Sequence, residues 1–426
     1  MRILIISYEG PGDMWVGAVR LRGLIKELQL RGDDVLLITS EVNSGKSELT
    51  EGINHVIIES PAFLKIISYA REVIGIRCSV SKARNIFAHS RINHFLGMIR
   101  SYLGDIEREI FIPDSRILWR NSASFYIRKL MGKFHPDVIV SIGSPVSHMV
   151  AYDIKTGIAK KVLWIAELQD PWANHVCAPM NPITRHLAKQ REMSVMGLAD
   201  ILVCATEGIA QLYSHPSKVV IPFGSEFEPM DIPNMVDPFT IGYYGNIYKD
   251  RYLSASLFIF ALAKLKQSDP ELGHIIKFRI FSRSFSKKID DLISHLGLES
   301  NVIFENVIER NQVFMSMARN HILVSFQGDR YNYAVASKIY DYIMTGRPIL
   351  SVTSADSCEA RFLESFAGTR AADNIENIAN ALITFLKMPA SYSYRSARPK
   401  ATYYTQRVIA RQFADLIYQA SAMKER

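Results

Sequence analysis

The feature that most constrains the fold is an alternation of short apolar runs with helical segments, which occurs twice along the chain. Runs such as Arg2–Tyr8 and Asp137–Ile142 are rich in Val, Ile and Leu at nearly every position. Strands with this pattern are usually covered on both faces, as in parallel sheets. Amphipathic helical segments intervene, such as Ala18–Leu30, which Gly32 ends. The alternation predicts an α/β fold with two doubly wound parallel sheets.

The predicted strands and helices fall into two groups, with a break in composition between them. Strands are predicted at Arg2–Tyr8, Asp34–Thr39, Asp137–Ile142, Lys161–Glu167, Ile201–Ala205 and Val219–Pro222, and then at Phe239–Tyr244, Ile275–Phe281, Val302–Phe304, Ile322–Phe326 and Ile349–Val352. Helices of the second group are predicted at about Ser254–Lys266, Lys288–Leu296, Gln312–Arg319, Ser337–Thr345 and Ile375–Leu386.

The break is Gly224–Pro238, which is rich in proline and acidic residues and is typical of an interdomain linker. We therefore expect a first domain over residues 1–225 and a second over 239–400. A last helix within Tyr403–Ala422 is expected to pack back on the first domain.

Composition fits a globular protein, with 48% hydrophobic and 22% charged residues. The four cysteines stand far apart, without metal-ligand spacing, as in proteins of a reducing compartment. No apolar run reaches the ~18–20 residues of a membrane span, and the first run is too short for a signal peptide. These observations predict a cytoplasmic protein.

The formal net charge of +8 is concentrated in one segment. Residues 61–133 contain 13 Lys or Arg and 5 Asp or Glu, with nine aromatic residues among them. Basic residues interleaved with apolar ones suit an anionic membrane surface. They also suit nucleic acid, which we consider unlikely here, and a solvated helical surface explains the pattern about as well. The segment predicts peripheral binding at the inner face of the cell membrane.

Ligands of open α/β sheets bind beyond the carboxyl ends of the strands, so the residues after each strand are candidates. The first predicted strand is followed by Glu9–Ala18, which contains several glycines and leads into a helix. It matches neither the dinucleotide fingerprint nor a Walker loop, and a tight turn explains it equally well. Arg20 and Arg22, on the helix that follows, could contact a phosphate or face solvent.

Two further turns carry candidate residues. Leu168–Trp172 (LQDPW) places a carboxylate and a large aromatic residue at a strand end, although a capped turn with a packed Trp has the same pattern. Gly245–Arg251 combines a glycine with cations at a helix start, as diphosphate sites do, and is a weak signal alone.

The most informative stretch is Ala336–Leu350. Ser337 and Lys338 begin a predicted helix, where backbone donors point outward. Asp341 lies three residues beyond Lys338 and so shares its helical face. That face offers a cation for a phosphate and a carboxylate for a sugar diol, unless Asp341 is simply solvated.

These motifs resemble those of one enzyme family. Ser337-Lys338-x-Tyr340-Asp341-Tyr342-x-x-x-Gly346-x-Pro348 resembles the [ST]-K-x-x-E-Y-x-x-x-G-x-P segment of family 4 glycosyltransferases, and LQDPW resembles the L-R-D-P-W of its bacterial members. Other stretches follow in the expected order: Asp114, Trp119, His135–Ile139, Ser144-Pro145, Thr206–Gly208, Ile221–Gly224 and Gly242–Asn246. The similarity spans nearly the whole chain, except about Gly45–Glu109.

The resemblance implies a GT-B fold, with two Rossmann-like domains facing a cleft. It implies retaining transfer from a nucleotide sugar, with no metal and no cofactor. Carried over by residue, it implies that Asp341 binds the ribose, that Lys338 and Arg251 face the donor phosphates, and that Asp170 lies on the acceptor side. The other implied donor-side positions are Gly17, Gly245, Asn246, Ser337 and Tyr333; Tyr333 stands where the family often has a glutamate, and Asp341 is one methylene shorter than the usual glutamate.

Three functions remain compatible with the sequence. The first is a transferase that builds a cell-surface polysaccharide or glycolipid. The second is a non-catalytic partner subunit with a degenerate donor site, which the retained Lys338, Asp341 and Arg251 disfavour. The third is a nucleotide-sugar epimerase of the same fold, which would need a dense acid–base set and would not be expected to carry LQDPW.

Overall fold

The computed structural model describes residues 1–12, 16–41, 51–60, 111–174, 180–229, 239–247, 249–282, 286–387 and 398–424. These residues form two compact units. The first unit comprises residues 1–205, 212–220 and 411–426, and the second comprises 206–211 and 221–410.

The first unit contains a seven-stranded sheet in the order β3-β2-β1-β4-β5-β6-β7. Its strands are β1 (Arg2–Ser7), β2 (Asp34–Ser40), β3 (Asn54–Ile58), β4 (Val138–Ile142), β5 (Leu163–Leu168), β6 (Ile201–Cys204) and β7 (Lys218–Val220). All the neighbouring pairs are parallel. Every residue of β4 and β5 is buried, which is why these strands are continuous apolar runs in the sequence.

Helices of the first unit connect these strands. They are α1 (Val16–Leu30), α2 (Trp119–Phe134), α3 (Pro145–Gly157) and α4 (Pro182–Met196), together with most of the C-terminal helix described below. A left-handed Gly32 follows α1, as predicted from the sequence. The predicted membrane-binding segment 61–133 is described only from residue 111 onward.

The second unit contains a six-stranded sheet in the order β10-β9-β8-β11-β12-β13. Its strands are β8 (Phe239–Tyr244), β9 (Ile276–Phe281), β10 (Val302–Glu305), β11 (Ile322–Phe326), β12 (Ile349–Val352) and β13 (Thr369–Ala372), all paired in parallel. Counted within the unit, this is the 3-2-1-4-5-6 order of dinucleotide-binding folds. The prediction of two parallel-sheet α/β domains is therefore confirmed.

Helices also surround the second sheet. They are α5 (Glu207–Gln211), α6 (Tyr252–Ser268), α7 (Pro270–Ile275), α8 (Lys287–His295), α9 (Arg310–Ala318), α10 (Ser337–Thr345), α11 (Cys358–Glu364), α12 (Ile375–Leu386) and α13 (Arg398–Ala401). Aromatic and aliphatic residues of α6, β8, β9 and β11 form its core, in which Phe258 contacts Phe278 and Phe326. The predicted bounds of α10 and α12 agree with the structure.

The sequence interpretation needs three corrections. It missed β3 and β13, which lie at the edges of their sheets and keep exposed residues. It also predicted one helix within Tyr403–Ala422, whereas α14 begins at Gln406, after a 3-10 turn and an extended Thr405. The chain is extended there because Ser225 accepts from Gln406 N at 2.7 Å and donates its own N–H to Tyr404 at 2.8 Å.

The last helix, α14 (Gln406–Lys424), packs within the first unit from residue 411 onward. Arg31 pairs with Asp415 at 2.7 Å, and its guanidinium lies 5.3 Å from the Tyr418 ring centroid. Tyr418 donates to Asp33 at 2.6 Å. None of the helices in the described parts of the chain is long and apolar enough to cross a membrane.

Candidate functional site

The carboxyl end of β8 is the topological switch point of the second unit. β8 lies between β9 and β11, so the connections from β8 and β11 leave the sheet in opposite directions. Ligands of such sheets bind in the crevice that this divergence opens. The residues that follow β8 here are Gly245 and Asn246, and the residues that follow β11 are Gln327 and Gly328.

A lysine whose ammonium group is buried points at this switch point. The Lys338 ammonium has no hydrogen-bond partner among the described residues and lies 4.1 Å from the Tyr243 ring centroid. Burial lowers the pKa of Lys338 well below its usual value, the nearby Arg251 lowers it further, and Glu359 raises it. A buried, unpaired ammonium is costly unless an anion joins it. This arrangement suits an anionic ligand.

Gly245 and Asn246 shape the backbone beside that ammonium. Gly245 has a φ of +145°, which strains any other residue, and a Cβ there would lie 2.9 Å from the Lys338 Nζ and displace that ammonium. The Asn246 carbonyl accepts from the Tyr243 hydroxyl at 3.0 Å and from Arg251 Nη1 at 3.2 Å. Four predicted donor-side residues, Gly245, Asn246, Arg251 and Lys338, therefore lie together.

Glu359, on α11, supports the start of α10 and was not singled out in the sequence. It is fully buried, accepts from Ala336 N at 2.8 Å and accepts from the Ser351 hydroxyl at 2.6 Å. Burial raises the pKa of Glu359, and Lys338 lowers it. The carboxylate thus fixes the residue that precedes α10 and faces the charge of Lys338.

Asp341 lies in different surroundings from Lys338, although both residues are on α10. Its Oδ1 accepts from the Ser225 hydroxyl at 2.7 Å, and its Oδ2 pairs with Arg310 Nη1 at 3.1 Å. Burial raises the pKa of Asp341, while Arg310 and Ser225 lower it. Asp341 is buried, so the alternative of a simply solvated residue is wrong.

Arg310 carries the charge next to Asp341. Its guanidinium lies 4.5 Å from the Phe227 ring centroid, and its Nη2 contacts Glu226 at 3.3 Å. Ser225, Glu226 and Phe227 belong to the predicted linker, whose first residues contribute to this cluster while residues 230–238 lie outside the described residues. No motif in the sequence points to Arg310.

Tyr333 and Ser337 lie on the approach to α10. The Tyr333 carbonyl accepts from the Thr206 hydroxyl. A Cβ at Gly208 would lie 2.5 Å from the Tyr333 Cα, so the start of α5 packs directly on this backbone. Ser337 is the first residue of α10 and is half-buried, at a helix start whose backbone N–H groups favour an anion.

In the first unit, Asp170 follows the buried strand β5 and is half-buried. The turn beyond it is held by Glu192 of α4, which accepts from Trp172 N at 2.7 Å and Ala173 N at 3.2 Å. The Trp172 ring stacks on His148, with centroids 6.0 Å apart. Burial lowers the pKa of His148 to about 3, so this imidazole is neutral. The turn is thus rigidly placed at the carboxyl edge of the first sheet.

The residues that follow β1 correct the expectation for Arg20, and one of them pairs with an arginine that the sequence did not indicate. Arg20 does not face solvent, because it is buried and pairs with the buried Glu167 at 3.1 Å. Gly17 is buried as the second residue of α1, and residues 13–15 before it lie outside the described residues. Arg116, which the sequence did not single out, pairs with Glu9 at 2.7 Å.

Among the residues that the structure describes, no group of three His, Cys, Asp or Glu side chains is arranged to hold a metal ion. The polar groups at the switch point of the second unit are instead the two cations, Lys338 and Arg251, and the backbone at the start of α10.

No protein family model matches the chain, and no curated protein sequence matches it significantly. The likeness is found among solved structures. A sucrose-phosphate synthase from Thermosynechococcus elongatus has a TM-score of 0.68 at 12% identity, over 99% of each chain. The lipopolysaccharide outer core galactosyltransferase WaaB has a TM-score of 0.62 at 12% identity, over 99% of this chain and 100% of that one.

Anabaena HepE, solved in complex with UDP-glucose, has a TM-score of 0.59 at 11% identity, over 98% of this chain and 99% of that one. The matches also include a putative UDP-N-acetylglucosamine 2-epimerase from Listeria monocytogenes, with a TM-score of 0.55 at 9% identity over 100% and 97% of the two chains. At such low identity the likeness shows the fold, which is that of the GT-B glycosyltransferases, as the sequence predicted.

Proposed function

We propose that this protein is a glycosyltransferase that takes a sugar from a nucleotide-sugar donor and passes it to a cell-surface polysaccharide or glycolipid. We further propose that transfer retains the anomeric configuration and needs no metal, as the resemblance to family 4 glycosyltransferases implies. The observation that carries the proposal is the buried Lys338 ammonium, which has no described hydrogen-bond partner and lies at the switch point of the second unit.

The chemistry of the donor explains why this cation matters. When the bond from the sugar to the diphosphate breaks, negative charge grows on the departing phosphate. Fixed cations and amide dipoles stabilise such charge most strongly where water is excluded. Lys338, Arg251 and the N–H groups at the start of α10 supply positive potential of this kind. Their grouping around Gly245 supports a diphosphate there.

One of the similar solved structures is a putative epimerase, and its TM-score is lower than those of the transferases named above. An epimerase must remove and return a proton, which requires acid–base groups at the sugar. Around Lys338 the described ionisable groups are Arg251, Glu359 and Tyr243. Glu359 accepts from the Ser351 hydroxyl and from Ala336 N, and the Tyr243 hydroxyl donates to the Asn246 carbonyl at 3.0 Å. The site therefore favours a transferase over an epimerase.

Calorimetric titration with UDP-, GDP-, dTDP- and CMP-sugars tests the proposal directly. We expect one of these donors to bind and to shift the unfolding temperature, since a ligand at 100 times its Kd adds ~2.7 kcal/mol of stability. Incubation of the best donor with and without chelator should release equal amounts of nucleotide in the presence of acceptor. If no nucleotide binds, the non-catalytic partner-subunit alternative takes the place of this proposal.

Donor binding should depend on pH through Lys338. Burial lowers the pKa of the Lys338 ammonium in the free protein, and a bound diphosphate should raise it again. Between the two pKa values, binding takes up a proton, so affinity is highest at low pH. Affinity should fall by at most about tenfold per pH unit as the pH rises from the pKa of Lys338 in the free protein to its pKa in the complex, and should be constant above that.

Titrations with a nucleotide sugar in buffers of different ionisation enthalpy measure this proton uptake. Lys338→Met is the control variant, because it has no titrating group at that position and should bind donor without proton uptake there. An identical pH dependence in the wild type and in Lys338→Met would contradict the assignment.

Asp170 should act on the acceptor side. Asp170→Asn keeps the size of the side chain in a turn fixed by Glu192, and we expect it to lower turnover about 10- to 100-fold through misplacement of the acceptor. Donor affinity should change little. Steady-state kinetics and donor titration separate the two effects, with the exposed Asp356→Asn as the control. Loss of donor binding with normal turnover of bound donor would contradict this role.

The basic segment 61–133 is proposed to bind anionic membrane reversibly, at the inner face of the cell membrane. Its described part includes α2, which contains no carboxylate and exposes Phe125 and Tyr126 beside Lys129. Residues 61–110 lie outside the described residues. Cationic side chains next to exposed aromatic ones support attraction to anionic lipid headgroups.

A further inference from the structure

Gln327 anchors the loop that leads from β11 into α10 (residues 328–336, the α10 loop). It directly follows β11 and is 5% exposed. Its Nε2 donates to the Tyr331 carbonyl at 2.7 Å and to the Ala334 carbonyl at 2.9 Å. Both N–H groups of one side-chain amide are therefore used to hold two carbonyls of the same loop.

The chemistry of these contacts fixes the orientation of the Gln327 amide. A carbonyl oxygen only accepts, so the amide must turn its nitrogen toward Tyr331 and Ala334. Its Oε1 is buried and has no hydrogen-bond partner among the residues that the structure describes. A buried acceptor without a donor destabilises the fold and offsets part of the gain from the two donated bonds. Gln327 therefore contributes more to the position of the loop than to overall stability.

The backbone of Gln327 is itself fixed to two other elements. Its N–H donates to the Val352 carbonyl of β12 at 3.2 Å, and its carbonyl accepts from the Ser254 hydroxyl of α6 at 2.8 Å. The next residue, Gly328, packs on the turn before α6, because a Cβ there would lie 2.4 Å from the Asp250 carbonyl oxygen. The side chain thus reaches the α10 loop from a fixed point.

The carbonyls between the two that Gln327 holds are also engaged by groups outside the α10 loop. The Asn332 carbonyl accepts from Cys358 N at 2.8 Å, and the Tyr333 carbonyl accepts from the Thr206 hydroxyl. Four successive carbonyls therefore accept hydrogen bonds from the surrounding unit, and Gln327 supplies two of these bonds. The path of the backbone toward α10 is set by these donors.

We propose that Gln327 is a positioning residue of the donor site. By fixing the α10 loop it fixes the start of α10, which carries the backbone N–H groups and Lys338. Groups held in place before the ligand arrives stabilise its charge without reorganising. The inference rests on the proposed function, because it assigns these groups to a diphosphate.

Hydrogen exchange of the full chain without nucleotide measures the loop directly. Gln327→Met keeps a similar length and has no donor. The hydrogen-bonded amides of Tyr331, Ala334 and Ala336 should therefore exchange about 10- to 100-fold faster than in the wild type. The substitution also removes the unpaired oxygen, so the melting temperature should change little.

Titration and kinetics with the UDP-, GDP-, dTDP- and CMP-sugars separate a positioning role from a merely structural one. In Gln327→Met the bound diphosphate must order the α10 loop, so the affinity for the donor that binds the wild type should fall about tenfold. Turnover at saturating donor should fall by less than about threefold, because the bound donor restores the loop. A cation that stabilises the transition state, such as Lys338, would show the opposite split.

Ser254→Ala is the matched control, because Ser254 is as buried as Gln327 and bonds to its backbone instead of to the loop. It should show wild-type exchange of the α10 loop and wild-type donor affinity. Gln327→Asn is a second variant, whose shorter amide cannot reach both carbonyls and should loosen the loop as methionine does. Unchanged loop exchange in both Gln327 variants would overturn the inference. So would equal acceleration in Ser254→Ala, or faster exchange throughout the second sheet.

The failure of this inference can be told apart from the failure of the proposed function. If the wild type binds none of the four donors, the proposed function fails, and the positioning role falls with it. If a donor binds the wild type and Gln327→Met with equal affinity although the loop exchanges faster, the positioning role alone is refuted.

Discussion

Lys338→Met is expected to lower turnover by about 100- to 1,000-fold, which is the usual effect of removing one group that stabilises charge in a transition state. Methionine has a similar length and removes only the charge beside Tyr243 and Gly245. The diphosphate gains negative charge as the sugar departs, so the loss should be larger in turnover than in donor affinity. Initial rates at saturating donor, together with calorimetric donor titration, measure the two quantities.

The same variant should not be less stable than the wild type. The Lys338 ammonium is buried without a described hydrogen-bond partner, and its pKa is lowered in the folded protein. The unfolded chain therefore binds more protons at this position, so the cost of the lysine is greatest at low pH and disappears above its unfolded pKa. The melting temperature of Lys338→Met at neutral pH should equal or exceed that of the wild type.

Lys287→Met, at an exposed position, is the matched control and should retain wild-type turnover. A drop in turnover that is accompanied by a lower melting temperature would assign Lys338 a structural role. Unchanged turnover would remove the cation from the mechanism.

The sequence predicts the central strands better than the edge strands. β1, β4 and β5 are covered on both faces, so each appears as an uninterrupted apolar run that is easy to detect. β3 and β13 pair on one side only and contain Asn54, His55 and Arg370, which interrupt the pattern. Their pairing depends on a neighbouring strand distant in sequence, which local periodicity does not report.

The sequence likewise predicts some residues of the candidate site and misses others. Lys338, Gly245 and Arg251 were predicted because each stands in a short motif at a strand end or helix start, and the second unit brings them together. Glu359 and Arg310 had no such motif. Glu359 matters through its contacts with Ala336 and Ser351, and Arg310 through its pairing with Asp341, and both depend on tertiary packing.

Arg20, in contrast, was singled out in the sequence as a candidate ligand contact but is buried in an ion pair of the first unit. Its place on the first helix after a glycine-rich turn suggested either a phosphate contact or exposure, yet it pairs with Glu167 inside the first unit. Glu167 lies at the end of a run that is otherwise apolar, and its side chain also accepts from Gln169. A buried charge on a strand requires a buried partner of opposite charge, and the sequence does not specify which cation supplies it.

Asp341→Ala is expected to weaken donor binding about 10- to 150-fold, because a charged hydrogen bond to the ribose contributes roughly 1.5–3 kcal/mol. The structure indicates a second way in which this substitution would weaken donor binding. Ser225 and Arg310 each occupy one oxygen of the Asp341 carboxylate. A carboxylate has about four lone-pair sites, so it can accept from these groups and from a ribose hydroxyl together. It could instead act by holding Arg310 in place.

Arg310→Ala separates the two routes. If Asp341 binds the ribose directly, loss of the half-exposed Arg310 leaves its carboxylate in place, and we expect donor affinity to fall by at most about fivefold, which corresponds to the 0.2–1 kcal/mol of a solvent-accessible ion pair. Glu226→Ala removes the other carboxylate beside Arg310 without touching Asp341, and serves as the control. Titration of a nucleotide sugar into all three variants and the Asp341→Ala, Arg310→Ala double variant completes the cycle.

Each outcome of this cycle has a distinct meaning. Equal losses in both single variants, with no further loss in the double variant, would make Arg310 the group that contacts the donor and Asp341 its positioning residue. Wild-type affinity in both would remove this cluster from the donor site. Together with an absence of proton uptake at Lys338, that second result would leave neither charged side chain of α10 in contact with the donor, and would favour the partner-subunit alternative over an active transferase.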